Sequence, residues 1–209
     1  MEPKIPLKVL QRLPVYLNIL KRMKHGGQVY TASSAIAAEL GLTEIQVRKD
    51  LASVSKGGRP KVGYVIADLI HDIEKALGYD NVNDAVLVGA GKLGRALMDY
   101  QGFRDYGVNI VAGFDINARE GESESGKPVY PMDRLDDLCE RMQIHMGIIT
   151  VPAPAAQEVC DKLVKAGIIA IWNFAPAHLW TPENIFVKNE DMAASLAVLS
   201  NYLKARMQE

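Results

Sequence analysis

The run Gly89-Ala90-Gly91-Lys92-Leu93-Gly94 constrains this chain more than any other feature, because three glycines at that spacing suit a strand turning tightly into a helix. AVLVG before it is a short β-branched run, and KLGRALMDY after it has helical periodicity. In such a turn Gly89 permits the sharp change of direction, Gly91 lets a pyrophosphate approach the backbone, and Gly94 lets helix and strand pack closely. The helix that opens around Lys92 and Leu93, beside Ala90, offers its free N–H groups to phosphates. Asp115 follows 21 residues after Gly94, at the end of VNIVAGFD. A carboxylate there can accept both adenosine-ribose hydroxyls and repel a 2′-phosphate, which predicts NAD(H), as NADH or NAD⁺, rather than NADP(H). A glycine-rich turn in an α/β domain that binds CoA, or no ligand, would share the three glycines.

From Asn83 onward short apolar runs alternate with helical patterns: VNIVAGFD, MDRLDDLCERM, MGIITV, PAAQEVCDKLVKAG and IIAIWNF. Alternating β and α predicts an α/β domain with a Rossmann-type parallel sheet, whose ligands lie at the carboxyl edge. That edge adds Ile116, Thr150, Val151, Pro152 and Phe174 to the candidate cofactor contacts, with Pro176 just beyond. Burying a cationic nicotinamide beside Val151, Pro152 and Phe174 would cost more than burying a neutral one, so NADH should outcompete NAD⁺. Residues 176–189 read as a linker. The last segment, EDMAASLAVLSNYLKARMQE, places Met192, Leu196, Leu199 and Leu203 at helical spacing after a completed sheet, so this face needs a partner surface.

The beginning of the chain differs in charge. Residues 1–64 carry 11 Lys and Arg against 4 Asp and Glu, a balance of +7, whereas residues 65–209 carry 13 against 21, a balance of −8. Basic charge gathered in one domain is the footprint of phosphate-backbone binding, although a solvated basic face would give the same sum. Leu7, Leu10, Leu13, Leu17 and Leu20 recur at helical steps, with Pro14 expected to break or restart the helix. Thr31 and Ser33 offer N-cap hydroxyls to SSAIAAEL, Gly41 ends that helix, and Thr43 with Gln46 forms a capping box opening EIQVRKDLASV. Ala37, Gly41 and Val47 supply the small residue, turn glycine and buried aliphatic of a helix-turn-helix. Its second helix would enter the major groove with Gln46, Arg48 and Lys49 towards bases or phosphates. The loop KGGRPKVGY, with Lys56, Arg59 and Lys61, would then act as a wing. A small helical bundle with a basic face is the alternative. The expected division is a winged helix-turn-helix over 1–80, a Rossmann domain over 81–189 and a terminal helix over 190–209.

No apolar run approaches the roughly 20 residues that cross a bilayer, and the N-terminus lacks the pattern of a secretory signal. A soluble, cytoplasmic protein with no membrane partner is expected. Cys139 and Cys160 lack CxxC spacing and are expected to pack, a thiol switch being the alternative. His25, His71, His145 and His178 have no partner at ligand spacing, so no metal is expected. The rival reading is a small NAD-dependent oxidoreductase with an N-terminal extension. No Tyr-x-x-x-Lys pair or His–Asp arrangement is placed to move a proton, so no catalytic residue is assigned.

Three stretches resemble the Rex family of redox-sensing repressors: QVRKDLASV with the wing ending in VGY, VLVGAGKLGRALMDYQGF, and TVPAPAAQEVCDKLVKAGIIAIWNFAP. The resemblance runs over nearly the whole chain. It implies a homodimer that binds operator DNA, an inverted repeat, while NADH is low and releases it when NADH binds. It also implies a C-terminal helix exchanged between subunits that completes the partner's nicotinamide pocket. By position, Tyr100 and Asp191 resemble the family's switch pair, and Met192 sits where relatives present an apolar side chain to the partner's nicotinamide. Two positions depart from the pattern. Asn18 stands where a relative has an Arg that pairs with the switch Asp, and Pro60 follows Arg59 where relatives usually have glycine.

Overall fold

The computed structural model describes residues 5–59, 62–79, 83–118, 122–123 and 126–207. The chain divides into two compact units, Met1–Asn81 and Val82–Glu209.

In the first unit, helices α1 (Leu7–His25), α2 (Ser33–Leu40), α3 (Glu44–Ala52) and α4 (Ile66–Leu77) share one core with a small antiparallel sheet of β1 (Tyr30–Thr31) and β2 (Tyr64–Val65). Helix α1 runs unbroken through Pro14, which corrects the expected interruption. A proline inside a helix removes one hydrogen bond and crowds the preceding turn, at about 3 kcal/mol. Here Val9 and Leu13 before it and Tyr16, Leu17, Ile19 and Leu20 after it all bury one face. At roughly 1.5–3 kcal/mol for each large apolar side chain buried, that face outweighs the proline. Leu7, expected on this face, is exposed. Nor do Thr31 and Ser33 cap α2, whose N-cap is Ala32 without a side-chain bond. Thr31 is held in β1 opposite Tyr64, and its hydroxyl turns to Met23 Sδ and the Ala32 carbonyl.

The second unit is built on strands β3 (Asn83–Val88), β4 (Val108–Phe114), β5 (Glu122–Ser123), β6 (Pro128–Tyr130), β7 (Met146–Ile149), β8 (Ala170–Asn173) and β9 (Phe186–Asn189). Their order is β5-β6-β4-β3-β7-β8-β9, and every neighbouring pair except β5 with β6 is parallel. Alternate residues of β3 face opposite ways, as a pleated strand requires. Val86 and Val88 join the core that includes Cys139 of α6 (Leu135–Met142) and Leu163 of α7 (Ala153–Lys165), while Ala85 and Leu87 join Met98 of α5 (Lys92–Asp99). The chain first works outward from β3 through β4 to β6, then returns to β7 on the other side. The strand order therefore reverses between β3 and β7, and the crevice at such a reversal is where ligands of this fold bind.

Strand β9 lies inside the segment read as a linker and is a correction to that reading. It extends the sheet in register from Ala170 opposite Phe186 to Asn173 opposite Asn189. FVKN escapes pattern reading because an edge strand with mostly exposed side chains shows no apolar alternation. Helix α8 (Met192–Arg206) closes the described chain. Among the described residues no helix is long and apolar enough to cross a membrane.

Candidate nucleotide and nucleic-acid sites

The three glycines of the loop between β3 and α5 stand in three different spaces. Gly89 has φ +102°, and a Cβ there would meet Val151 Cγ1 at 2.8 Å and the Thr150 carbonyl carbon at 2.9 Å. A Cβ on Gly94 would lie 2.1 Å from the Gly89 carbonyl oxygen. At Gly91, the N-cap of α5, a Cβ would meet nothing within 4 Å. Two glycines are thus demanded by the protein itself, while the third faces open space beside a helix N-terminus. That combination fits a phosphate group approaching the backbone. Gly89 and Ala90 are buried, Leu93 is half-buried and Lys92 is exposed. The loop is braced from both sides: Gly89 N–H donates to the Phe114 carbonyl at 2.8 Å, Arg95 Nε donates to the Ala90 carbonyl at 2.7 Å, and the Thr150 hydroxyl donates towards the Gly89 carbonyl at 2.8 Å.

The remaining candidates line up along the same carboxyl edge. Asp115 follows β4, half-buried, with Oδ1 accepting from Asn117 N–H at 2.9 Å, and its neighbour Ile116 is exposed. Thr150 N–H donates to the Val88 carbonyl and Phe174 N–H to the Ile149 carbonyl, which sets Thr150, Val151 and Phe174 at the ends of adjacent strands. Pro152 is the exposed N-cap of α7. Asn173, fully buried, fixes the turn after Phe174: its Nδ2 donates to the Ala175 and Ala177 carbonyls and to Asn189 Oδ1, and its Oδ1 accepts from Ala175 N–H. Sequence reasoning passed over Asn173, whose only signal was a polar residue inside an apolar strand.

Tyr100 ends α5 with its ring exposed and edge-on to Phe103, centroids 4.8 Å apart. Asp191 is the N-cap of α8, its Oδ1 accepting from Ala194 N–H at 2.8 Å, and Met192 begins the helix with an exposed side chain. The two cysteines are buried. Burial pushes the Cys139 thiol up to about 11 and raises that of Cys160, so neither presents the thiolate that a redox switch needs.

In the first unit, α2 ends at Gly41 in the left-handed region, φ +63°, and Thr43 Oγ1 caps α3 by accepting from Gln46 N–H. Ala37 and Val47 are buried where the two helices meet, Gln46 is half-buried, and Arg48 and Lys49 are exposed. Lys56 and Arg59 are exposed beyond α3, and Arg59 closes a tight hairpin with Gly63 through reciprocal N–H to carbonyl bonds of 2.9 Å. Lys61 lies outside the described residues.

A partly buried ion pair anchors α3, and the sequence reading missed it. Arg12 grips Asp50 through two bonds of 2.7 and 2.8 Å, and the Tyr16 hydroxyl donates to the same carboxylate at 2.7 Å. Burial alone would raise the Asp50 carboxyl, but the bonds from Arg12 and Tyr16 and the guanidinium charge together hold it below the ordinary range. Burial and the Asp50 carboxylate push Tyr16 up to about 12. A signal existed: Asp50 falls between Val47, Leu51 and Val54 on the apolar face of α3, where an unpaired carboxylate would be costly.

The chain is similar to known proteins over both of its units. Residues 4–52 match the family model for a putative DNA-binding protein N-terminus, and residues 80–177 match that for a CoA binding domain. The redox-sensing transcriptional repressor Rex of Porphyromonas gingivalis is 40% identical over 206 residues, 98% of this chain and 94% of that one. Its namesake in Pelotomaculum thermopropionicum is 42% identical over 198 residues, 94% of this chain and 93% of that one. The crystal structure of RSP in complex with β-NAD⁺ and operator DNA has a TM-score of 0.92 at 31% identity, covering 99% of this chain and 95% of that one. RSP in complex with β-NADH has a TM-score of 0.87 at 30% identity, covering 99% and 97%. Both curated relatives are redox-sensing transcriptional repressors, which answers the oxidoreductase reading. On the strength of its identity over nearly its full length, the chain belongs to the Rex family of redox-sensing transcriptional repressors.

Proposed function

We propose that this chain is a homodimeric NADH sensor that holds operator DNA while NADH is scarce and releases it when NADH binds. The observation that carries the cofactor half is the contrast among the glycines: Gly89 and Gly94 have no room for a side chain, whereas Gly91 has open space at the start of α5. The pyrophosphate would lie against Gly91 and the N–H groups of Lys92 and Leu93, with the adenosine ribose on Asp115 beside Ile116. The nicotinamide would lie towards Thr150, Val151, Pro152 and Phe174. Apolar walls there favour the neutral ring of NADH over the cationic ring of NAD⁺.

For DNA, Gln46, Arg48 and Lys49 on α3 would read the major groove, with Lys56 and Arg59 reaching the backbone. The dimer is supported by α8, whose Leu196, Leu199 and Leu203 are 65%, 60% and 58% exposed. An apolar face of that extent asks for a second copy, and Met192 would then serve the partner's nicotinamide. Tyr100 and Asp191 are proposed as the pair whose hydrogen bond exists in only one dimer state. The match to a CoA binding domain supplies a second reading of the pocket, a CoA sensor. Calorimetry with NADH, NAD⁺, NADPH and CoA decides between them. NADH should bind most tightly, with NADPH and CoA weakened because each carries a phosphate on the ribose that Asp115 faces. Tighter binding of CoA, or equal affinity for NADH and NAD⁺, would overturn the proposal.

A further inference from the structure

The indole of Trp172 touches three parts of the second unit at once. Its centroid lies 4.5 Å from the Phe174 ring at the nicotinamide end of the sheet edge. It also lies 5.5 Å from Phe103, nearly perpendicular, and Phe103 in turn meets Tyr100. Its Nε1–H donates to Glu190 Oε1 at 3.1 Å. Glu190 is itself tied down: its backbone N–H donates to the Asn173 carbonyl at 2.8 Å, and Oε1 also faces Lys188 Nζ at 3.2 Å. The next residue along the chain is Asp191, the cap of α8. A single rigid plate therefore spans from Phe174 to the residue that precedes the first turn of α8.

We propose that Trp172 and Glu190 form a positioning pair that carries occupancy of the nicotinamide pocket to the start of α8, a role that rests on the NADH-sensing reading above. Close-packed rings have little room to yield, so a nicotinamide set against Phe174 shifts the indole as a unit. The shift is felt where the indole is held by direction as well as contact, at the bond from Nε1–H to a half-buried carboxylate. That bond is made in one state of α8 and lost in the other. A ligand moves such an equilibrium only through contacts that differ between the two states, and this bond is one of them. In this account neither side chain touches phosphate, ribose or DNA. Removing the bond should alter the communication between NADH and DNA without removing a contact to either ligand.

The test measures three constants for each full-length variant: NADH affinity, operator affinity, and operator affinity at saturating NADH. The ratio of the last two is the coupling factor. Trp172→Phe keeps an aromatic ring and removes the N–H, Glu190→Ala removes the acceptor, and Glu190→Gln keeps an acceptor oxygen. The first two should each lower the coupling factor about tenfold, the worth of a hydrogen bond to a charged group made in one state only. Neither binary affinity should change by more than that same factor, because only the balance between the two states moves and no contact to either ligand is removed. Glu190→Gln should retain most of the coupling, and the double variant Trp172→Phe/Glu190→Ala should fall no further than either single change. Undiminished coupling in Trp172→Phe and Glu190→Ala, or a loss in Glu190→Gln equal to that in Glu190→Ala, overturns the pair's role. An unaltered chain whose operator affinity ignores NADH refutes the sensing reading instead, and the pair's role falls with it.

Discussion

Helices α3 and α8 offer opposite things to their surroundings. Helix α3 buries Val47, Asp50 and Leu51 in its own unit and leaves Arg48 and Lys49 in solvent. Helix α8 exposes Leu196, Val198, Leu199, Tyr202 and Leu203. Charge in water needs no cover and is free to meet a phosphate, whereas apolar area left in water forgoes about 25 cal/mol per Å² that a matching surface would recover. The first helix is completed by the fold of its own chain and is ready for an anion. The second leaves an apolar face that a matching protein surface would complete.

The largest effect that could break this contrast comes from charging the α8 face. Leu196→Asp with Leu203→Asp should give monomers in sedimentation, and operator affinity should fall by about 10²-fold or more, since two half-sites no longer bind as one ligand. A variant that stays dimeric would mean that α8 does not hold the subunits together.

Next comes the anchor beneath α3. Asp50→Asn should destabilise the first unit by about 2–3 kcal/mol in chemical denaturation, less than a fully buried pair because Arg12 is partly solvated. The Asp50 carboxyl is held low in the folded chain, so its contribution is complete above its ordinary pKa and drains away as pH falls below about 4. Tyr16 is raised to about 12, so its share persists up to about pH 10 and is lost as pH climbs further. The Asn variant should lack most of the acid dependence.

The exposed face of α3 should respond more gently. Arg48→Ala or Lys49→Ala should weaken operator binding by about 1–3 kcal/mol if base edges are contacted, or reduce the slope of affinity against salt by about one if phosphates are. No change in either quantity would remove α3 as the reading element. The glycine loop provides a control that lies on neither helix. Gly91→Ala should unfold like the unaltered protein yet bind NADH about tenfold more weakly, because its Cβ enters the open space proposed for the pyrophosphate. Gly94→Ala, pressed against the Gly89 carbonyl, should instead destabilise the second unit by about 1–3 kcal/mol.

The glycine loop was legible in the sequence because each glycine answers a local demand, and Asp115 because its distance from Gly94 follows from one strand crossing to the next. The paired helices were legible for the same reason, through Gly41 and the Thr43 cap. What escaped depends on partners distant along the chain. Asp50 needs Arg12 and Tyr16, Trp172 needs Glu190, and the edge strand at Phe186 gains its hydrogen bonds only when β8 is beside it. Pro14 was misread by applying a local rule where burial on both sides of it governs the outcome. Local chemistry marked the two candidate sites, while the contacts that hold their residues in place had to be seen in three dimensions.

The most direct measurement is reciprocal linkage between the two ligands of the unaltered chain. Operator affinity is titrated with and without saturating NADH, and NADH affinity with and without operator, at one salt concentration. NADH should weaken operator binding and operator should weaken NADH binding by the same factor, while NAD⁺ leaves operator affinity nearly unchanged. Operator affinity that is indifferent to NADH, or strengthened by it, would contradict NADH-driven release of DNA.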